Sequence, residues 1–421
     1  MNIRPYLTLY NKLSDSNKSR VRGILVSLKL MPWAEQKYFD LNAPMVSPLL
    51  HSSDLTWSQF EAQILRYRDD YRGVFVQDRV IPWNMTLYQR PQHLAVAMAK
   101  LGYLVIYQTH PFGDDSGIRD VRQVVKNVWV THLDEALKIP GAIRSTYSGV
   151  PLEQIRHERN QKLIYEYVDH LDAKIVGHDA LEKLEAKKKR AFAGNADIVL
   201  ASANKLFEEA KESGDQVLVS LVPNGVDIAF FDAISESLRC PPELAEFKAK
   251  HKFIVGYFGA VAPWLWYDVI NPLVEQSPEI GFVLIGPDYN HGLKNLQRRS
   301  NLLLTGAVSY TDLPHYSNEF DVALIPFEPG EIAKTTSPLK LFEYFAMGKP
   351  VVVTADMAEC VQYEGVFPAS NLQEFKHAIS QALIAGSDGN FVQTILNNAR
   401  SNSWEKRALQ IDQLVSGGTN E

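Results

Sequence analysis

Two ionisable residues, three positions apart, interrupt an otherwise apolar run: Lys340 and Glu343 in SPLKLFEYFAMGKP (337–350). Leu339, Leu341, Phe342, Phe345 and Ala346 surround them, so a helix over this stretch is apolar nearly all round and calls for burial. A buried carboxylate needs hydrogen-bond donors, and the vicinal hydroxyls of a ribose would supply two. The same spacing also suits an i,i+3 ion pair on a solvated face, worth a few tenths of a kcal/mol, and the residues alone leave both readings open. Ser337 followed by Pro338 reads as a helix start, a hydroxyl N-cap and then a ring whose missing N–H costs nothing in the first turn. The free N–H groups of that turn favour an anion, most naturally a diphosphate.

The elements around this helix place it. Val322, Ala323, Leu324 and Ile325 make residues 321–327 a buried strand, which Pro326, Pro329 and Gly330 break into a loop. The helix ends at Gly348, and Pro350 stops it before a second buried strand over 351–354. Strand, loop, helix and strand in this order form a parallel βαβ-type unit, whose loop leaves the carboxyl end of a strand where ligands of open α/β sheets bind.

SPLKLFEYFAMGKPVVVT resembles the donor-binding segment of retaining nucleotide-sugar glycosyltransferases with two facing Rossmann-like domains, the GT-B fold, and of glycosyltransferase family 4 in particular. There the second Glu of a Glu-X7-Glu motif grips the donor ribose, a position held here by Glu343. The first Glu, which touches the sugar, falls on Thr335, with Glu331 and Glu328 nearby but out of register. The resemblance covers most of the chain from about Gly73 onward. It implies a nucleoside-diphosphate sugar as co-substrate, a glycan or lipid-linked acceptor, and no metal or other cofactor. It also implies retention by same-face attack, the leaving phosphate taking the acceptor proton. No Asp-X-Asp occurs, which argues against a metal-dependent GT-A mechanism.

Composition is compatible. The 421 residues suffice for two or three domains, and 46% hydrophobic with 22% charged residues is ordinary for a soluble protein. A formal net charge of −6 argues against a general nucleic-acid binder. Cys240 and Cys360 give neither a disulfide framework nor a zinc spacing, which fits a cytoplasmic, reducing compartment. The N-terminus has no apolar stretch suited to a signal peptide, and no apolar run approaches the ~20 residues that span a bilayer.

In order, residues 1–70 read as an N-terminal helical extension, with one helix over 52–71. Lys18, Arg20, Arg22 and Lys29 lie among apolar residues and suit either an anionic membrane surface on its inner face or a packed helix with solvated cations. Residues 71–240 form an acceptor domain, with strands over 73–77, 103–108, 128–133, 162–168, 197–202 and 217–222. YQRPQHLAVAMAKLG begins a helix at the carboxyl end of the first strand, and relatives carry a similar Arg-Pro-Gln. Arg90 and His93 are the expected acceptor-binding residues; a local backbone role for Arg90 stays open. No Gly-X-Gly-X-X-Gly follows that strand, which weakens a dinucleotide oxidoreductase reading. YEYVDHLD resembles a family segment after a central strand, so Asp169 and His170 face the cleft; a structural histidine remains the alternative. Lys187–Arg190 form a second cationic stretch, a solvated face or a headgroup contact.

PNGVD (223–227) resembles the family's exit from the first domain, and residues 250–400 form the donor domain, with strands over 253–258, 282–286 and 302–305. Gly259 lets the backbone approach a ligand. Where most relatives follow with an Arg and a Lys on the diphosphate, this chain has AVAPWLWYD, so Lys334, Lys340 and the helix amides must balance that charge. The loop at Val308 is where the resemblance puts the base, and residues 401–421 resemble terminal helices that cross back to the first domain. The fold class expected is α/β, two facing Rossmann-like domains with an N-terminal helical extension. Expected site residues are Asp169, His170 and Lys340 for catalysis, and Gly259, Val308, Lys334, Thr335, Ser337, Pro338, Leu339, Lys340 and Glu343 for the donor. A nucleotide-sugar epimerase or hydrolase on the same fold, and a non-catalytic nucleotide-sugar-binding subunit, are the alternatives.

Overall fold

The computed structural model describes residues 54–147, 160–168, 170, 178–214 and 216–417. Two sheets account for the strands. The first holds β1 (Val74–Gln77), β2 (Leu104–Gln108), β3 (Val121–Val125), β4 (Val128–Thr131), β5 (Ile143–Thr146), β6 (Lys162–Tyr167), β7 (Ile198–Ala201) and β8 (Leu218–Leu221), in the order β3-β4-β2-β1-β5-β6-β7-β8. Its pairings are parallel apart from the antiparallel edge hairpin β3–β4. The second holds β9 (Phe253–Phe258), β10 (Ile280–Ile285), β11 (Leu302–Gly306), β12 (Val322–Ile325), β13 (Val351–Thr354) and β14 (Val366–Ala369), in the order β11-β10-β9-β12-β13-β14, parallel throughout. Strands such as β1, β2, β12 and β13 are buried along their whole length, as a sheet covered by helices on both faces requires.

In each sheet the winding reverses once, between β1 and β5 and between β9 and β12. A crevice opens at such a reversal, outside the carboxyl ends of the strands. The helices that matter for the site are α1 (Trp57–Gln63), α2 (Arg90–Lys100), α3 (His178–Arg190), α4 (Asn204–Glu212), α5 (Ile228–Ile234), α6 (Glu331–Thr335), α7 (Leu339–Ala346), α8 (Ala358–Val361) and α9 (Trp404–Val415).

The chain passes between the two sheets twice, and the passes touch. Val226 bridges Ser403, and Gly225 lies so close that a Cβ there would stand 2.9 Å from the Asn402 carbonyl oxygen and 3.0 Å from the Trp404 nitrogen. After the second pass, α9 lies on the first domain. Trp404, Ala408, Ile411, Leu414 and Val415 share a buried cluster with Leu94, Ala97 and Met98 of α2. Asp412 accepts from the Tyr103 hydroxyl at 2.7 Å and pairs with Arg72, while Lys100 reaches Glu405 at 2.9 Å.

Four expectations change. The helix expected over 52–71 divides, because Ile64 (φ −123°, ψ −63°) leaves helical geometry as it enters the core; α1 stops at Gln63 and a 3-10 stretch runs over Leu65–Asp70. The segment after Pro329 is not all loop, since α6 occupies part of it, and the N-cap of α7 is Pro338 with no side-chain cap, so Ser337 does not serve as one. The second cationic stretch is half inward. Lys187 is buried beside the Thr146 hydroxyl at 3.3 Å and the Tyr165 ring at 5.6 Å, and burial pulls its pKa down to about 7. Lys188 is buried between Glu185 (3.0 Å) and Glu209 (2.9 Å), leaving Lys189 and Arg190 exposed. The first cationic stretch, Lys18 to Lys29, lies outside the described residues. No helix among the described residues is long and apolar enough to cross a membrane.

Candidate active site

A cavity of about 420 Å³ opens where the two reversals face each other. Val80 and Ile81 reach it from beyond β1, Tyr147 from beyond β5, and Val168 and His170 from beyond β6. From the other side come Gly259 after β9, Gly286 after β10, Val308 and Tyr310 after β11, Phe327 after β12, and the start of α7. The first turn of α7 carries N–H groups with no acceptor inside the helix, and Ser337, Pro338, Leu339, Lys340 and Glu343 all line the cavity.

Glu343 is buried, at 5% exposure, and burial pushes its pKa up to about 7; the Tyr310 hydroxyl and the Lys340 ammonium work against that rise. Lys340 is its counterpart. Its Nζ lies 5.3 Å from the ring centroids of both Tyr257 and Phe327, and burial lowers its pKa to about 8 against the pull of Glu343. Gly259 (φ +132°) makes this approach feasible, since a Cβ there would come within 3.0 Å of that Nζ and 2.9 Å of the Tyr257 hydroxyl. A cation and a carboxylate, neither comfortable in its charged form, therefore stand at a helix N-terminus beside a cavity. Such paired perturbation is commoner at functional sites than elsewhere.

The remaining expected residues divide. Thr335 lines the cavity, but its hydroxyl donates to the Glu331 carbonyl at 2.7 Å, so no carboxylate stands there. Lys334 does not reach the cavity. It is partly exposed, 3.6 Å from Glu331 and 3.9 Å from Asp356, which removes it from the expected diphosphate contacts. His170 lines the cavity, and Asp169 lies outside the described residues.

Arg90 lines the cavity from α2 but its donors are committed. Nε gives to Glu166 at 3.0 Å, and Nη1 gives to the Pro223 carbonyl at 3.2 Å and to Asn224 Oδ1 at 3.1 Å. Asn224 in turn donates through Nδ2 to the Ser337 carbonyl at 2.5 Å. Arg90 thus ties the first domain, through the crossover, to Ser337, two residues before α7. His93 does not border the cavity. It stacks on Trp404 (5.3 Å, 10°) with Tyr88 (4.7 Å) and Tyr310 (5.2 Å) edge-on, and burial drives its pKa down to about 3, so it is a neutral packing residue.

Two contacts had no signal in the sequence. Glu359 of α8 accepts from the Asn204 backbone N–H at 2.6 Å, capping α4 of the first domain from the second. Lys205 pairs beside it with Glu331. Tyr310 was findable, as an aromatic residue two positions after Val308 in the loop assigned to the base.

Residues 252–384 match the family described as glycosyl transferases group 1. The second domain is a group 1 glycosyltransferase domain. The putative teichuronic acid biosynthesis glycosyltransferase TuaH of Bacillus subtilis (strain 168) is 27% identical over 281 residues, 63% of this chain and 69% of that protein. Among solved structures, sucrose-phosphate synthase from Thermosynechococcus elongatus superposes with a TM-score of 0.59 at 17% identity, over 82% of this chain and 99% of that one. The E. coli trehalose-6-phosphate structure bound with UDP-2-fluoro glucose gives 0.61 at 12%, over 81% and 98%. HepE of Anabaena in complex with UDP-glucose gives 0.54 at 16%, over 82% and 99%. The group 1 glycosyltransferase domain and the sheet before it together have the GT-B fold.

Proposed function

We propose that this chain transfers a sugar from a nucleoside-diphosphate donor, of the uridine class, to an acceptor hydroxyl with retention, in surface polysaccharide synthesis. The observation that carries the reading is the Glu343–Lys340 pair, facing the interdomain cavity at the start of α7. Glu343 accepts from the ribose hydroxyls, the loop at Val308 borders the base, and Lys340 with the α7 amides meets the diphosphate. Gly259 leaves room for the phosphates. The reaction builds negative charge on the departing diphosphate, and a cation plus oriented N–H groups at that point stabilise the transition state more than the ground state. The phosphate oxygen takes the acceptor proton on the same face, with His170 on the acceptor side of the cleft. UDP and UDP-glucose occupy the HepE structures, and the TuaH relative supports a surface-glycan acceptor.

The test is donor titration and turnover together. UDP-, GDP-, ADP- and dTDP-sugars are titrated into the wild type and Glu343→Ala, and nucleotide release is followed with and without glycan and lipid-linked acceptors. The variant is expected to lose about 1.5–3 kcal/mol of donor binding, the range for a charged hydrogen bond, while staying folded. Binding unaffected by the substitution refutes the site. Tight binding with no release for any acceptor would favour the nucleotide-sugar-binding subunit, a reading that Thr335 at the sugar-contacting position keeps in view.

A further inference from the structure

The carboxyl end of the first sheet holds more positive charge than it neutralises. On β5, Arg144 and Thr146 are two positions apart, so they project from the same face, about 7 Å from each other along the strand. Asp78, just beyond β1, accepts from Arg144 Nε and Nη2 at 2.6 and 2.9 Å. Lys187 of α3 reaches the same face and donates to the Thr146 hydroxyl oxygen at 3.3 Å. All four residues are buried, Lys187 being the most exposed at 3%. One carboxylate therefore stands against two cations. Donors are also left over: among the described residues Arg144 Nη1 is buried with no hydrogen-bond partner, Lys187 pairs with no carboxylate, and the Thr146 hydroxyl accepts without donating.

We propose that Arg144, Thr146 and Lys187 form an anion subsite in the first domain, and that the anion is a phosphate group. A buried charge without a counter-ion is costly, and so is a buried donor left without an acceptor. Deprotonating Lys187, whose pKa burial brings down to about 7, would relieve the excess charge. It would do nothing for Arg144 Nη1, because a guanidinium keeps its proton. A bound oxyanion answers both, accepting from the guanidinium, the ammonium and the hydroxyl together, and a tetrahedral phosphate has oxygens enough for three donors. Position identifies where that phosphate comes from. Asp78 lies two residues before Val80, and Thr146 one before Tyr147, and both Val80 and Tyr147 line the interdomain cavity. The donor diphosphate has its own cation, Lys340, on the second-domain wall. A further phosphate at the first-domain wall belongs to the other substrate, which makes the acceptor a phosphorylated one, either a sugar phosphate or a lipid-linked phosphate. That assignment rests on the glycosyltransferase reading; the anion subsite does not.

The experiment is thermal melting and calorimetric titration with inorganic phosphate, glucose 1-phosphate and a short-chain isoprenyl phosphate, on protein saturated with uridine diphosphate so that Lys340 is occupied. Wild type is compared with Lys187→Met and Thr146→Val, which keep the side-chain volumes and leave the Arg144–Asp78 pair in place. Wild type is expected to bind phosphate and to melt higher with it. Without phosphate, Lys187→Met is expected to melt above wild type, since a buried charge is gone, and to gain nothing from phosphate. It binds about tenfold more weakly or worse, the scale of one charged hydrogen bond, and Thr146→Val a few-fold more weakly. The two esters separate the sources. Preference for the isoprenyl phosphate makes the acceptor lipid-linked, and preference for glucose 1-phosphate makes it a soluble sugar phosphate. Equal affinity for both esters and inorganic phosphate keeps the subsite and overturns its assignment to the acceptor. A wild type that phosphate neither binds nor stabilises, or a Lys187→Met that responds as the wild type does, overturns the proposal. If uridine diphosphate itself does not bind, the glycosyltransferase reading fails, and the same titrations without it still decide the subsite.

Discussion

Replacing Lys340 by Met separates what this residue does for the fold from what it does for a ligand. Its ammonium lies 5.3 Å from each of two aromatic rings, and burial lowers its pKa from 10.5 to about 8. That displacement corresponds to roughly 3 kcal/mol of unfavourable charge burial, discounted to about 1–3 kcal/mol because the side chain borders an open cavity. The sign follows from proton linkage. Between pH 8 and 10.5 the unfolded chain holds the proton that the folded one has lost, so stability rises with pH across that window and the full penalty applies below it. Methionine fills similar space without charge, and Glu343, left without its cation, can take a proton near neutrality. Lys340→Met is therefore expected to melt several degrees higher than wild type at pH 7 and to lack the wild type's gain between pH 8 and 10.5. Binding moves the other way. Losing a charge-assisted phosphate contact costs about 1.5–3 kcal/mol, roughly 10- to 150-fold in affinity for uridine diphosphate, while uridine changes little. Scanning fluorimetry and calorimetry with both ligands decide it. A lower melting temperature, or equal losses for nucleotide and nucleoside, would refute the reasoning.

Other perturbations test the frame around the site. Gly225→Ala places a Cβ 2.9 Å from the Asn402 carbonyl oxygen, where backbone must move, and should cost about 1–3 kcal/mol, read as a lower denaturation midpoint; an unchanged midpoint would mean that the crossovers slide freely. Asn224→Ala cuts the link from Arg90 to Ser337 and should weaken uridine diphosphate binding by roughly 1 kcal/mol, the scale of one hydrogen bond, with little change in melting. Glu359→Ala uncaps α4 across the domain interface, at about 1 kcal/mol for a lost N-cap. Small-angle scattering should show a larger radius of gyration for that variant without nucleotide, and an identical profile would assign Glu359 to local capping alone.

The buried parallel strands were legible because a strand covered on both faces is a continuous apolar run: 253–258 and 351–354 were bounded to the residue. β5 was not, although it is central. It carries Arg144, Ser145 and Thr146, polar because it ends at the cleft, and Arg144 is neutralised by Asp78 through bonds of 2.6 and 2.9 Å that no local pattern announces. The edge strands β3 and β14 are short and polar or proline-bearing, and escaped for the same reason. At the site, Lys340 and Glu343 stood out as charges in an apolar helix. Lys334 carries the same charge but sits on the outer side of α6, and Arg90 and His93 were placed near the cleft while their partners, Glu166, Asn224 and Trp404, come from distant positions. Spacing along one helix reports on one helix; commitments made across 76 or 134 residues appear only on folding.

The order in which the chain is made differs from the order in which its halves can be finished. Every strand of the second sheet comes from a continuous stretch, Phe253 to Ala369, so that half holds its whole pattern once those residues have emerged. The first sheet is synthesised earlier, yet the α2 face carrying Leu94, Ala97 and Met98 stays uncovered until Trp404 to Val415 arrive. The older half thus waits on the ribosome with an apolar face open, the kind of surface that chaperones bind and that aggregates. A stop codon just after residue 402 would accordingly spare the second domain near the break and injure the distant one made first.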